Sequence, residues 1–375
     1  MPTWISSTCS SRRSAAMSDS LKLAYVLTFD PSVGRSGLWD RLVERLHVWA
    51  ELGVRADVAI CVRPHTPLHG MRLPRPHQLH LLTARTSALA TRQIPRWVDD
   101  VAPEVIYARF SLPWPALALA ARRAPLILEV HADPILESKF RPISYRAMSR
   151  IFTRAVLARA SGFVFVDPAL AGSRTFARGG QPSVCIPNGI DLPDGPSPEP
   201  LEQGQRPRVV LVTGSDEAWH GIAKFEELAR ALPEFEFHVI GSQTGFPHLT
   251  VHPRSSGSDY TDLLASMHVG VGSLGLERIS RREPSPLKVR EYLRYWLPVA
   301  IAHDDPDLDD SDPSLHNFGY GFTVTPEVVD RFRDFVVRVA GTSCTEALRD
   351  SVGLLTKERA RVEFLHQFRE NVGAR

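Results

Sequence analysis

Glu283-Pro284-Ser285-Pro286-Leu287-Lys288-Val289-Arg290-Glu291-Tyr292-Leu293, followed by Pro298-Val299-Ala300-Ile301, reads as a loop with one carboxylate, a defined helix start, a second carboxylate and a short apolar strand. Ser285 is a favourable N-cap, and Pro286 at the first helical position gives up only an N–H that has no intrahelical partner. The first turn presents the N–H groups of Leu287 and Lys288 with the positive end of the helix dipole behind them, which suits a phosphate. Glu291 stands about one turn further on, where an ionised carboxylate can accept two hydrogen bonds from a vicinal diol such as a ribose. Glu283, outside the helix, reaches a different part of the same ligand. Carboxylate, anion site and carboxylate in line match a sugar–diphosphate–nucleoside; spacing alone also fits an amphipathic helix with two solvated glutamates.

Working outward, the alternation of strand and helix recurs along the chain. Strands are predicted over 21–29, 54–62, 79–82, 104–110, 126–130 and 162–166, with helical stretches over 38–52, 87–100, 114–123 and 143–160. The turn before the first helix carries Gly34 and Gly37 without a full G-x-G-x-x-G, so it reads either as a phosphate-approaching loop or as a simple turn. A second series opens with a strand over 208–213, then Gly214 to Lys224 entering a helix that runs to 232, where Lys224 adds charge to another anion-binding helix start. Strands over 235–240 and 269–271 and helices over 325–339 and 344–371 follow, and the proline-rich stretch 192–207 reads as a linker. Such alternation implies parallel sheets covered on both faces, with ligands at the carboxyl ends of the strands.

Several stretches carry a family likeness. The opening segment resembles the Glu-x7-Glu donor motif of the family-four retaining glycosyltransferases of the GT-B fold, and Pro187-Asn188-Gly189-Ile190-Asp191 resembles their domain junction. His131 in Glu129-Val130-His131-Ala132-Asp133 and the Trp219-His220-Gly221 helix start fall in the same order as in that family. The resemblance implies an α/β GT-B fold: two Rossmann-like domains facing across a cleft, over 21–190 and 208–342, a linker over 191–207, and a last helix over 343–375 crossing back to the first domain. It implies that Glu283 faces the transferred sugar, Glu291 holds the ribose, His131 contacts the sugar and Gly37 borders the phosphates. His220 takes the place of a customary Lys or Arg, so Lys224, Arg281, Arg282 and Lys288 stand as further cations for the diphosphate. Transfer is then metal-independent and needs no cofactor beyond the nucleotide-sugar donor. A nucleotide-sugar epimerase of the same fold, or a catalytically silent nucleotide-sugar-binding subunit, stays open.

Composition bounds the remainder. The 375 residues fit two domains, and 43% hydrophobic with 23% charged content describes a soluble globular chain without a membrane span, placed by this reading in the cytoplasm. Residues 1–20 read as a disordered leader, and the four scattered cysteines suggest neither a disulfide framework nor a zinc site. The net charge of +2 hides an asymmetry: residues 1–192 hold 24 Lys+Arg against 14 Asp+Glu, and the remainder holds 20 against 28. The basic half, with Arg146, Arg150 and Arg154 at helical spacing, fits either a solvated face or an anionic membrane surface beside a glycan or lipid-linked acceptor. The basic loops lack interleaved aromatics, which argues against nucleic acid. The six aspartates of 303–313 read as a solvated loop rather than a metal site.

Overall fold

The computed structural model describes residues 20–27, 37–63, 72–110, 114–138, 142–177, 180–193, 198–214, 216–254, 257–282 and 284–370. Seven strands, β1 (Leu21–Leu27), β2 (Val54–Val62), β3 (Gln78–Thr83), β4 (Val105–Phe110), β5 (Leu126–Val130), β6 (Gly162–Phe165) and β7 (Ser183–Cys185), form a parallel sheet in the order β3-β2-β1-β4-β5-β6-β7. Six more, β8 (Arg208–Val212), β9 (Glu236–Ile240), β10 (Thr250–His252), β11 (Val269–Val271), β12 (Val299–Ile301) and β13 (Leu315–Asn317), repeat that plan in the order β10-β9-β8-β11-β12-β13, again parallel. Both sheets reverse their winding beside the first strand, between β1 and β4 and between β8 and β11. Those switch points are where open parallel sheets leave a crevice for ligands.

The strands are apolar because each sheet is covered on both faces. One face of the first sheet packs against the helices Ile94–Val101 and Pro115–Ala120 through Ile94, Trp97 and Leu117, and the other against the helix Gly37–Glu51 through Leu42, Leu46 and Trp49. The last helix, Leu354–Glu370, joins that second layer with Val362, Phe364, Leu365 and Phe368, so the chain does cross back onto the first domain. The helix predicted over 344–371 is two helices, Glu346–Asp350 and Leu354–Glu370. Between them the backbone pairs with Ile190: its N–H donates to Val352 O at 2.9 Å, and Leu354 N–H donates to Ile190 O at 2.8 Å.

That pairing shows what the Asn188-Gly189 segment does at the junction. The segment runs against the start of the last helix, and a Cβ on Gly189 would lie 2.9 Å from Leu354 Cα, closer than such atoms approach. Among the described residues no helix is long and apolar enough to cross a membrane, and Cys61 and Cys344 are buried thiols outside any disulfide.

Candidate functional site: the cleft between the sheets

The carboxyl ends of the two sheets border one cavity of about 580 Å³. The first domain contributes Tyr25 and Leu27 from β1, Arg109 and Phe110 from β4, His131 just past β5 and Val166 just past β6; the second contributes Trp219, His220, Ser273 and residues 284–288. The quoted stretch of sequence therefore enters the cleft through Pro284, Ser285, Pro286, Leu287 and Lys288. Glu283 lies outside the described residues.

The helix of this stretch is Leu287–Arg294, and its N-cap is Pro286 rather than Ser285. Ser285 is buried, its hydroxyl donates to Val166 O at 3.1 Å and accepts from the Asn188 N–H at 3.1 Å, and Asn188 Nδ2 donates to the Ser285 carbonyl at 2.8 Å. A cap would have needed that hydroxyl to face the helix; instead it pins the loop to the first domain. The first N–H bonded inside the helix is that of Val289, to Pro286 O at 3.2 Å, which leaves those of Leu287 and Lys288 without an intrahelical acceptor at the cleft.

Lys288 Nζ stands 3.0 Å from His220 Nδ1. Burial pushes the Lys288 amine down to about 7. Burial and the neighbouring Lys288 push His220 down to about 4. Two basic groups held at that separation, each driven toward its neutral form, are both relieved when an anion joins them. Gly221 makes the arrangement local: with φ at 75° and a Cβ that would fall 2.7 Å from Leu274, only glycine turns the chain from His220 into the helix Ile222–Ala231.

Across the cleft, His131 is held by its surroundings in a neutral state. Burial, then the Arg109 charge, lower its ring to about 4, although Nε2 lies 3.4 Å from Glu129 Oε2. A neutral imidazole there offers a hydrogen bond rather than a charge. Beneath it the fully buried Glu129 takes a bidentate grip from Arg45, at 2.8 and 3.1 Å, and Arg45 Nε also donates to Glu358 Oε1 at 3.1 Å. Trp49 Nε1 donates to Glu358 Oε2 at 2.8 Å, and Arg361 pairs with Glu358. This network fixes β5, the helix Gly37–Glu51 and the last helix as one floor.

Other sequence-predicted positions fall elsewhere. Lys224 does not reach the cleft: Nζ pairs with Glu277 at 2.8 Å, donates to Leu274 O at 3.0 Å and lies 4.7 Å from the Phe322 ring centre, so its charge is already spent. Gly214 borders a separate depression with Asp216, Gly241, Ser242 and Arg254. Gly37 opens the helix Gly37–Glu51, and it is Arg41, Leu42 and Arg45 further along that line the cleft. Glu291 is half-buried one turn behind Lys288, and its Oε2 accepts from Tyr260 Oη at 2.9 Å. The aspartate loop is not simply solvated: Asp305 is buried against Arg290, which also bonds Asp307 at 2.7 Å and donates from Nε to Asn188 O at 3.1 Å. The first-domain cations were missed. Arg109 is the one charge in β4, and Arg41 and Arg45 stand four apart on one helix face; both are legible signals.

The model of Glycosyltransferase Family 4 matches residues 36–194. No curated protein matches the chain. Among solved structures, a glycosyltransferase from Rickettsia africae ESF-5 is 13% identical, with a TM-score of 0.65 over 93% of this chain and 98% of that one. HepE from Anabaena, in complex with UDP and glucose, is 14% identical, with a TM-score of 0.64 over 92% of this chain and 100% of that one. The lipopolysaccharide outer core galactosyltransferase WaaB is 11% identical, with a TM-score of 0.60 over 92% and 100%. At such identities the likeness is one of fold, and that fold is GT-B: two Rossmann-like domains with a cleft between them.

Proposed function

We propose that the protein is a retaining glycosyltransferase that moves a sugar from a nucleoside-diphosphate sugar to an acceptor, without a metal ion. The observation that carries this reading is the Lys288–His220 pair at the open start of the Leu287–Arg294 helix, facing neutral His131 across the cleft. The leaving diphosphate gains charge as the glycosidic bond breaks. Preorganised N–H groups and the Lys288 ammonium are placed to stabilise that charge, which is electrostatic catalysis without a Lewis acid. His131 donates a hydrogen bond to the sugar, Glu283 orients it, and Glu291 holds the ribose. No protein nucleophile is assigned.

The test is turnover of labelled UDP-, GDP-, ADP- and dTDP-sugars with crude lipid and glycan acceptors. Transfer with the anomeric configuration kept is the expected result. Conversion of the donor with no acceptor present identifies an epimerase, and tight nucleotide binding with no turnover identifies a silent subunit.

The acceptor side has its own supporting observation. The helix Ile143–Leu157 turns Ser149 and Thr153 inward and leaves Ile143 81%, Ile151 63% and Met148 44% exposed beside Arg150 and Arg154. An apolar ridge flanked by arginines favours a lipid-linked acceptor at an anionic membrane surface, on the inner, cytoplasmic face. Salt-sensitive sedimentation with anionic vesicles is expected, and its loss in Ile151→Glu; vesicles that leave the protein in the supernatant at low salt contradict it.

A further inference from the structure

Glu291 is assigned to the ribose, yet its carboxylate is not an open acceptor pointing into the cleft. Oε2 is taken by Tyr260 Oη at 2.9 Å, and Oε1 accepts no other bond among the described residues. Tyr260 belongs to the helix Ser258–Ala265, a different element from the one that carries Glu291. We infer that Tyr260 is a positioning residue for nucleoside recognition, holding one oxygen of Glu291 so that the other meets the ribose hydroxyls. The inference rests on the glycosyltransferase reading.

A glutamate side chain has three rotatable bonds, and a bond to one carboxylate oxygen fixes the direction of the other before the ligand arrives. The phenol is the donor: burial and the adjacent Glu291 hold it far above its ordinary pKa, so it keeps its proton. Burial raises the Glu291 carboxyl, and the Tyr260 hydrogen bond opposes that rise. The other charged groups facing Glu291 are Arg41 and Glu44 from the first domain and Arg294 on its own helix; Glu44 is shared between Arg41 at 2.8 Å and Arg294 at 3.1 Å. Tyr260 is thus the neutral donor in a setting where the arginines are engaged elsewhere.

The test compares ribose with deoxyribose. UDP, GDP and ADP are titrated calorimetrically against the intact protein, and the tightest is set against its 2′-deoxy counterpart. The wild type is expected to prefer the ribonucleotide by about tenfold or more, the span of one hydrogen bond to a charged group. Glu291→Ala is expected to bring the ratio close to one, and Tyr260→Phe to cut it about threefold or more with the melting temperature little changed. In Tyr260→Phe the acid limb of ribonucleotide binding also moves to higher pH, while the deoxynucleotide curve stays in place. Equal loss for both nucleotides in Tyr260→Phe, or no change in the ratio, overturns the inference and leaves Tyr260 a structural residue. A wild type that binds neither these three nucleotides nor dTDP overturns the glycosyltransferase reading beneath it, and a wild type that binds only dTDP, or binds one of the three without preferring ribose, removes the role of Glu291.

Discussion

At the residue scale the central feature is a lysine held near its titration point. Lys288 is pushed to about 7 by burial, so near neutral pH it is only partly charged in the free protein. A bound diphosphate favours the ammonium and raises that value. Affinity for UDP or its counterpart is therefore full below pH 7 and falls by about tenfold per unit as the pH rises above it, until the raised value of the complex is reached. Calorimetry from pH 6 to 9 checks this, and in Lys288→Ala the slope is expected to vanish. His131 behaves differently: held down to about 4, it stays neutral over the same range and adds no slope. Which of these residues could be read from sequence depended on direction. Lys288 and His220 were legible because a helix start fixes where first-turn groups point. Lys224 was misread because its place on a helix face does not say that Glu277 is waiting beside it. Ser285 looked like a cap, and only the tertiary partners Val166 and Asn188 reveal its other use.

At the scale of elements the seat of the last helix on the first domain is built from buried charge. Burial alone would raise the Glu129 carboxyl, but Arg45 and Arg361 outweigh it and hold it well below its usual range. Glu129→Ala leaves those guanidinium groups buried with a partner missing and is expected to cost about 3–5 kcal/mol, measured by urea unfolding. Gly189→Ala forces the junction segment off the last helix, since its Cβ would meet Leu354 Cα at 2.9 Å. It is expected to destabilise by about 1–3 kcal/mol in the same assay. The long apolar strands and amphipathic helices were legible, with ends shifted by up to three residues and the stretch over 87–100 broken by a 3-10 turn at Thr91–Gln93. The edge strands β10 and β13 were not: each is three residues long and carries a histidine on a half-buried edge, which gives periodicity too little to act on. The break at Val352-Gly353 was hidden for a similar reason, because it is made by pairing with Ile190, far away in sequence.

At the scale of the whole molecule, the two sheets share one winding plan and turn their carboxyl ends toward each other, so each supplies part of one ligand site. Direct ties cross the cleft: Arg281 Nη2 donates to His131 O at 3.4 Å and lies 3.6 Å from Asp167, and Arg294 pairs with Glu44 at 3.1 Å. Removing both ties, in Arg281→Ala with Glu44→Ala, is expected to raise the radius of gyration of the free protein in small-angle scattering and to increase donor hydrolysis relative to transfer, because an open site admits water. An unchanged radius and ratio would show that the lobes are held by other contacts. The opposite charge of the two halves was visible in composition, but the cationic wall of Arg41, Arg45 and Arg109 needed the fold to bring it together.

The most direct measurement is calorimetric titration of UDP, GDP, ADP and dTDP into the wild type and Lys288→Ala at pH 6.5. One nucleotide is expected to bind the wild type and to bind the variant about 10- to 100-fold more weakly, as befits a lost charge-assisted contact to phosphate. Equal affinity for both proteins, or no binding to either, would contradict the placement of a diphosphate at the start of the Leu287–Arg294 helix.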